Sequence, residues 1–247
     1  MTAHGTGWIP EQARDIGIPH ASSLSLALPP KESYALIDRC LSWPIYDQGA
    51  TSSCVAQAIA AAMRALSGVE PSRRWLYYLA REYDRDLADD GTRISSVCRI
   101  MRDVGWCAER YMRWSEERIS EPPTLLARRN AADQTRAVRE YAITSTGESR
   151  NDMTRAAIAS GYPVVFGAVV DAQYMDLSTW EPVAFDGTPV GGHAQLAVGY
   201  DEDGVVVLNS WGGDWGVGGL AHLSWRCWTD QCRDLRVIAE CDRPTTS

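Results

Sequence analysis

Three residues of this chain have the types and the order that nucleophilic acyl chemistry needs: Cys54, His193 and Asn209. Cys54 follows the run Gln48-Gly49-Ala50-Thr51-Ser52-Ser53. It heads an alanine-rich stretch, Val55 to Leu66, with no proline or glycine, which predicts a helix. Ser52 or Ser53 is placed to cap that helix. A thiol at a helix N-terminus feels the positive end of the dipole, which favours the nucleophilic thiolate. His193 follows Gly191-Gly192, and glycines there let another chain, such as a substrate, approach closely. Asn209 ends an apolar run and leads into a tryptophan–glycine segment, Ser210 to Gly219. An imidazole beside a thiol can act as its base and later as the acid for the leaving group, and an amide bonded to the imidazole fixes its orientation. Taken singly, each residue has a plainer reading. A lone cysteine is most often core, and lone histidines are most often structural, which is the expectation for His4, His20 and His222. The joint occurrence, in one order and spaced by 139 and then 16 positions, turns the balance toward chemistry.

These residues need elements to hold them. Gly68 and Pro71 end the first helix. Ser72 begins a second, Arg73 to Tyr83, with Leu76, Leu79 and Tyr83 at helical spacing. Ser95 or Ser96 begins a third, with Val97, Ile100, Met101 and Val104 on one face and Gly105 as its stop. Residues 113–135 are polar, carry Pro122-Pro123 and read as a connection with a short helix at 124–130. The character then changes. After a short helix, Met153 to Ser160, strands are expected at Pro163 to Val170, Ala194 to Tyr200, Val205 to Leu208, Leu220 to Trp225 and Leu235 to Ala239. Asp201-Glu202-Asp203-Gly204 has hairpin chemistry. Helices first and strands after them make an α+β class.

Composition narrows the setting. The 247 residues carry a formal net charge of −8, which argues against a nucleic-acid partner, and no apolar run is long enough to span a bilayer. The first fifteen residues lack the charged and apolar regions of a signal peptide, so a cytoplasmic location is expected. The seven cysteines are an odd number and are expected to be reduced. Cys227 and Cys232 lack a second pair of ligands, so neither a metal nor a cofactor is expected. Cys98 and Cys107 read as core, and Glu109 to Arg118 as a solvated surface.

The motifs resemble those of papain-family (C1-type) cysteine peptidases. That family's QGxCGSCW corresponds to Gln48 to Val55, its HAxxxVGY to His193 to Tyr200, and its NSWGxxWGxxGY to Asn209 to Leu220. Further segments resemble prodomain-free bacterial members: Gly7-Trp8-Ile9-Pro10, Arg14-Asp15, Ile37-Asp38-Arg39, Asp90-Gly91-Thr92, Gly105 to Glu109 and Gly161 to Val164. The resemblance implies a two-lobe papain-like fold, with a helical lobe and an antiparallel, β-barrel-like lobe on either side of a cleft. It divides the chain into an N-terminal arm at 1–39, a helical lobe at 40–125 with Cys54, and a β-rich lobe at 126–247 with His193 and Asn209. It implies a thiolate–imidazolium pair of Cys54 and His193, oriented by Asn209. Gln48 and the Cys54 backbone N–H would form an oxyanion hole. Trp211 would shield the Asn209–His193 bond, Trp215 would line the leaving-group side, and Gly91 and Gly192 would meet the substrate backbone. Peptides or proteins are the implied substrates, and a monomer is expected.

The sequence departs from the family pattern at four places. Thr51 stands where secreted members carry a disulfide cysteine, Val55 replaces an aromatic residue and Leu220 a tyrosine. Ser52 replaces a glycine, and a left-handed backbone there would strain the oxyanion loop. Two other functions fit the same residues: a non-catalytic peptide-binding scaffold, and an acyl transferase that passes the acyl group to an amine. Absence of turnover would mark the first, and amine-adduct products the second. The N-terminal arm, proline-containing and long enough to reach the cleft, is a candidate restraint on activity.

Overall fold

The computed structural model describes residues 4–11, 18–24, 26, 36–88, 90–134 and 136–242; Arg14-Asp15 of the N-terminal likeness and most of 12–35 lie outside them. The helices are α1 (Ile37–Leu41), α2 (Cys54–Ser67), α3 (Arg73–Asp84), α4 (Ile94–Arg99), α5 (Leu125–Ala132), α6 (Gly147–Ala159), α7 (Ala172–Met175) and α8 (Trp225–Asp230). The strands are β1 (Arg136–Ala142), β2 (Val164–Asp171), β3 (Pro189–Tyr200), β4 (Gly204–Leu208), β5 (Leu220–Ser224) and β6 (Arg233–Asp242). They form one antiparallel sheet in the order β1-β6-β2-β3-β4-β5. Among the described residues β1 and β5 are not paired with each other, so the sheet is open rather than a closed barrel.

The sheet divides two apolar cores, and the period-2 alternation of its strands assigns residues to each. Val165, Ala194, Leu196, Val198, Val206 and Leu208 join α2, α3 and α4 in one core. Phe166, Ala168, Ala197, Val205 and Val207 join α6, α7 and α8 in the other. β2, β3 and β4 are therefore buried on both faces, which explains why they read as continuous apolar runs. Alanines along α2 let that helix lie close on β3, and α2 is buried almost throughout.

Several local expectations are corrected. Ser53 occupies the N-cap position of α2, yet its side chain makes no capping bond. Its hydroxyl is held by Thr51 Oγ1 (2.8 Å) and Gln57 Nε2 (3.1 Å) instead. Gly68 does end α2, in the left-handed conformation (φ 72°). α4 is capped by Glu11, whose carboxylate accepts from the Ser95 N–H (2.9 Å) and hydroxyl (2.7 Å). α4 widens into a π-helical turn over Ile100–Val104. The wider turn rotates Val104 off the apolar face into solvent. Tyr83 is exposed under the Arg99 guanidinium. β1, whose sequence Arg-Ala-Val-Arg-Glu-Tyr-Ala mixes charges into an edge strand, and α8 carried no clear pattern. β3 begins at Pro189, so His193 sits within the strand rather than at its start, and Gly191 and Gly192 pair with Val170 and Val169. Glu109 is not part of a solvated surface: it pairs with Arg73 (2.8 Å) and accepts from the Trp114 N–H.

Candidate active site

β3 carries His193 into the interior with its neighbours alternating. Ala194 points to the α2 side, while Gln195 points to the α7 side, where its Oε1 accepts from the Tyr174 hydroxyl (2.5 Å). His193 Nε2 lies 2.7 Å from Asn209 Oδ1. That oxygen also accepts from the Ser210 backbone N–H (2.7 Å). An amide oxygen only accepts, so Nε2 carries the proton and Nδ1 is left, in the neutral ring, as the basic lone pair. Nδ1 has no hydrogen-bond partner among the described residues. Trp211 stacks on the imidazole, with ring centroids 4.3 Å apart and planes 21° apart. Trp215 meets Trp211 edge-on at 5.2 Å, and its indole N–H donates to the carbonyls of Tyr174 and Met175.

The loop before Cys54 is locked to the loop after β4. Gln48 N–H donates to Ser210 O (2.9 Å), and Gly212 N–H to Tyr46 O (2.9 Å). The Ser210 hydroxyl donates to Gln48 Oε1 (2.6 Å). This fixes the amide so that Nε2 points the other way, to Thr51 O (2.7 Å) and Gly5 O (3.1 Å). Ser52 stays out of the left-handed region: among the described residues other than glycine, only Arg85 and Asp234 have a positive φ. The expected strain at Ser52 is therefore absent. Cys54 opens α2 in full burial.

Residues 4–11 run through the groove between these two walls. Gly5 O accepts from Gln48 Nε2 and from the Trp211 indole N–H (3.0 Å). Gly7 and Trp8 both donate to Gly192 O (2.7 and 2.9 Å). Gly7 O accepts from Thr92 N–H (2.9 Å), and Ile9 N–H donates to Thr92 O (3.0 Å). Glycines make this approach possible. A Cβ on Gly7 would stand 2.1 Å from Ser52 O, and one on Gly91, whose φ is 106°, would stand 1.8 Å from Gly7 O. Gly7 thus touches the segment before Cys54, the loop after Gly91 and the strand residue before His193. The Trp8 indole is buried against Gly167, where a Cβ would lie 2.0 Å from the ring, and a Cβ on Gly192 would meet Trp8 O at 2.3 Å. Glu11 pins the far end, bonded to Ser95 and, through its N–H, to Asp234 (2.9 Å).

His4, expected to be structural, stacks on Trp211 with ring centroids 5.0 Å apart, and its charge helps to lower the His193 pKa. The sequence signal for it was only its place three residues before Gly7. His20 and His222 read as structural: His20 caps a short 3₁₀ turn, and the Nε2 of buried His222 lies 3.0 Å from the Asp201 carboxylate.

Burial under the arm sets the charge state. Loss of solvent lowers the His193 pKa from 6.5 to about 4. The Asn209 bond opposes this shift and His4 adds to it. With the arm docked, this shift favours the neutral imidazole near pH 7. No disulfide joins any of the seven cysteines, six of which are buried. Among the described residues no group of histidines, cysteines and carboxylates could hold a metal, and no helix is long and apolar enough to cross a membrane.

No family model matches the chain. Its sequence is 28% identical, over 220 residues, to an uncharacterized peptidase C1-like protein of Acanthamoeba polyphaga mimivirus; the match covers 80% of this chain and 70% of the viral protein. Among solved structures, xylellain, a cysteine protease from Xylella fastidiosa, superposes with a TM-score of 0.81 at 24% identity, covering 99% of this chain and 98% of that one. Procathepsin B from Trypanosoma congolense gives 0.68 at 17% identity, covering 98% and 87%. A cysteine protease from Carica candamarcensis gives 0.63 at 16%, covering 88% and 100%. The structural likenesses establish the fold, and the viral relative matches it in sequence. The chain thus has the α+β, two-lobe fold seen in the papain-family cysteine proteases, and in sequence it is similar to a peptidase C1-like protein.

Proposed function

We propose that the protein is a cysteine peptidase that acts through a thioester formed at Cys54. The observation that carries this reading is a single carbonyl, that of Gly5, held by both the Gln48 amide and the Trp211 indole N–H, with Trp211 stacked on the imidazole of the His193–Asn209 pair. With the arm displaced, a substrate carbonyl takes the place of Gly5 O. Cys54 gives its thiol proton to His193 Nδ1, and Sγ attacks the carbonyl carbon while Gln48 Nε2 and the Cys54 N–H hold the developing oxyanion. The C–N bond breaks, and His193 gives its proton to the departing amine. Water, deprotonated by His193, then attacks the thioester, releasing the acid and restoring the thiol. Asn209 keeps the ring in the orientation this needs, Trp211 excludes water from their bond, and Trp215 lines the departing side. The lobes would run over 40–125 and 126–247, with an N-terminal arm at 1–39, of which residues 4–11 lie in the groove. We read the protein as a cytoplasmic, bacterial, monomeric enzyme that takes peptide or protein substrates; the likeness to cysteine proteases supports the substrate class, and seven cysteines outside disulfides support a reducing compartment.

The arm also indicates what the cleft accepts. Its backbone is held by Gly192 and Thr92, beside Gly91, while the Trp8 indole fills the space that Gly167 leaves open. A substrate held by the same groups would place a large aromatic side chain there. A peptide library should therefore be cleaved with an aromatic preference at one subsite near the scissile bond. Gly167→Val should reduce that preference about tenfold or more, because a branched side chain overlaps the ring site. An uncleaved library would argue for the scaffold reading; cleavage with no response to Gly167→Val would remove the pocket assignment.

Acid should loosen the arm. The docked His193 has its pKa held at about 4, and an exposed imidazole returns to 6.5. The undocked form therefore binds the proton more tightly. The full preference for docking is present above pH 6.5 and is lost as the pH falls toward 4. Hydrogen exchange at the Gly7 and Trp8 amides, corrected for the intrinsic rate, should accelerate across that window. Protection that is constant from pH 7 to 4 would contradict the linkage.

A further inference from the structure

We infer that the helical half carries a second, anion-binding site, for a small phosphoryl compound of the pyrophosphate type, in the cavity formed by Arg74, Arg110, Arg113 and Arg118. The cavity has a volume of about 230 Å³ and is also lined by Glu121 and by Thr124, the N-cap of α5. Four arginines and one glutamate line it, on a chain whose formal net charge is −8. That local excess of positive charge runs against the overall balance.

Arg74 makes the cavity more than a group of surface arginines. Its side chain is 4% exposed. Nη1 donates to Arg113 O (3.2 Å) and Nη2 to Arg118 O (2.5 Å), which folds the 110–121 segment around it. Its carboxylate neighbour, Glu121, is half exposed, stands 3.4 Å away and is already bonded by Arg118 Nε at 2.7 Å. Arg74 Nε is buried with no hydrogen-bond partner among the described residues. Burial and the nearby Arg118 both lower the Arg74 pKa, so the cation is held in an unfavourable setting. A bound dianion or trianion would offset that setting and give Arg110 and Arg113, both exposed, bidentate partners. Thr124 places the N-terminus of α5 at the same cavity, and its hydroxyl accepts from Ala127 N–H (3.2 Å). The dipole of α5 adds in the same direction.

A second arginine-lined cavity, with Arg85, Arg93 and Arg99, is a natural control. There Asp84 stands 3.6 Å from Arg93, and Arg99 lies over the Tyr83 ring. The carboxylate there, Asp84, is 10% exposed and faces Arg93, whereas Glu121 in the proposed site is half exposed.

Titration calorimetry of the intact protein with inorganic pyrophosphate tests the assignment without any peptide hydrolysis, so it stands or falls apart from the peptidase reading. Saturable binding is expected, weakening as salt is raised. Arg110→Gln and Arg113→Gln should each weaken it about tenfold or more, since each removes a charge-assisted contact. Both side chains are exposed, and the Arg113 carbonyl that holds Arg74 is retained, so both variants should fold. Arg99→Gln should leave the affinity unchanged. Absence of saturable binding, or binding lost in Arg99→Gln and retained in the other two, would overturn the proposal.

Discussion

Gly7→Val should switch the protein on, raising the initial rate of peptide hydrolysis at neutral pH by about tenfold or more. The valine side chain has nowhere to go. Its Cβ alone would stand 2.1 Å from Ser52 O and 2.6 Å from Ser52 C, both backbone atoms of the loop that also carries Gln48. That loop cannot yield, because its bonds to Ser210 and Gly212 tie it to the opposite wall. The arm must therefore lift. Lifting gives up the bonds of Gly7 and Trp8 to Gly192 and of Gly7 to Thr92, each worth about 0.5–1.5 kcal/mol net. Two or three such bonds are enough to shift a docking equilibrium by more than tenfold. The measurement is the initial velocity on a fluorogenic peptide, compared with wild type. An unchanged velocity, with the variant folded, would mean that the arm does not limit access.

Cys54→Ala should remove hydrolysis altogether, with a loss on the order of 10⁶ in kcat, the scale seen when a triad member is deleted from a hydrolase that works as a unit. The fold should survive. Cys54 is fully buried at the start of α2, among alanines along a helix that favours alanine, and the change removes one sulfur. The expected signature is an unaltered thermal transition within a few degrees and no turnover, in the Gly7→Val background as well. Substantial residual turnover in Cys54→Ala would remove the thiol from the chemistry.

How much of this was legible in the sequence depends on what kind of signal each part left. α2 announced itself through strong helix formers and the glycine at its end, and β2, β3 and β4 through apolar runs that the two-sided burial requires. Cys54, His193, Asn209 and Gln48 could be named because their spacing is joint. The missed pieces left no such pattern. β1 is an edge strand whose charges hide its alternation, and the π turn after α4 follows from tertiary packing. The functions of His4, Gly5, Gly7 and Trp8 are contacts across the fold, to Trp211, Gln48, Thr92 and Gly167, which local propensity cannot encode. Their one visible cue was glycine alternating with polar and aromatic residues, a composition that lets a backbone lie close against another. The lowered pKa of His193 was equally hidden, because it arises from burial in the folded chain.

The most direct measurement is mass spectrometry of the Gly7→Val protein, quenched in acid during turnover of an activated peptide ester. The proposed mechanism predicts an acyl adduct on the peptide containing Cys54, labile to hydroxylamine and absent from Cys54→Ala. An adduct on any other residue, or sustained turnover with Cys54 never acylated, would contradict it.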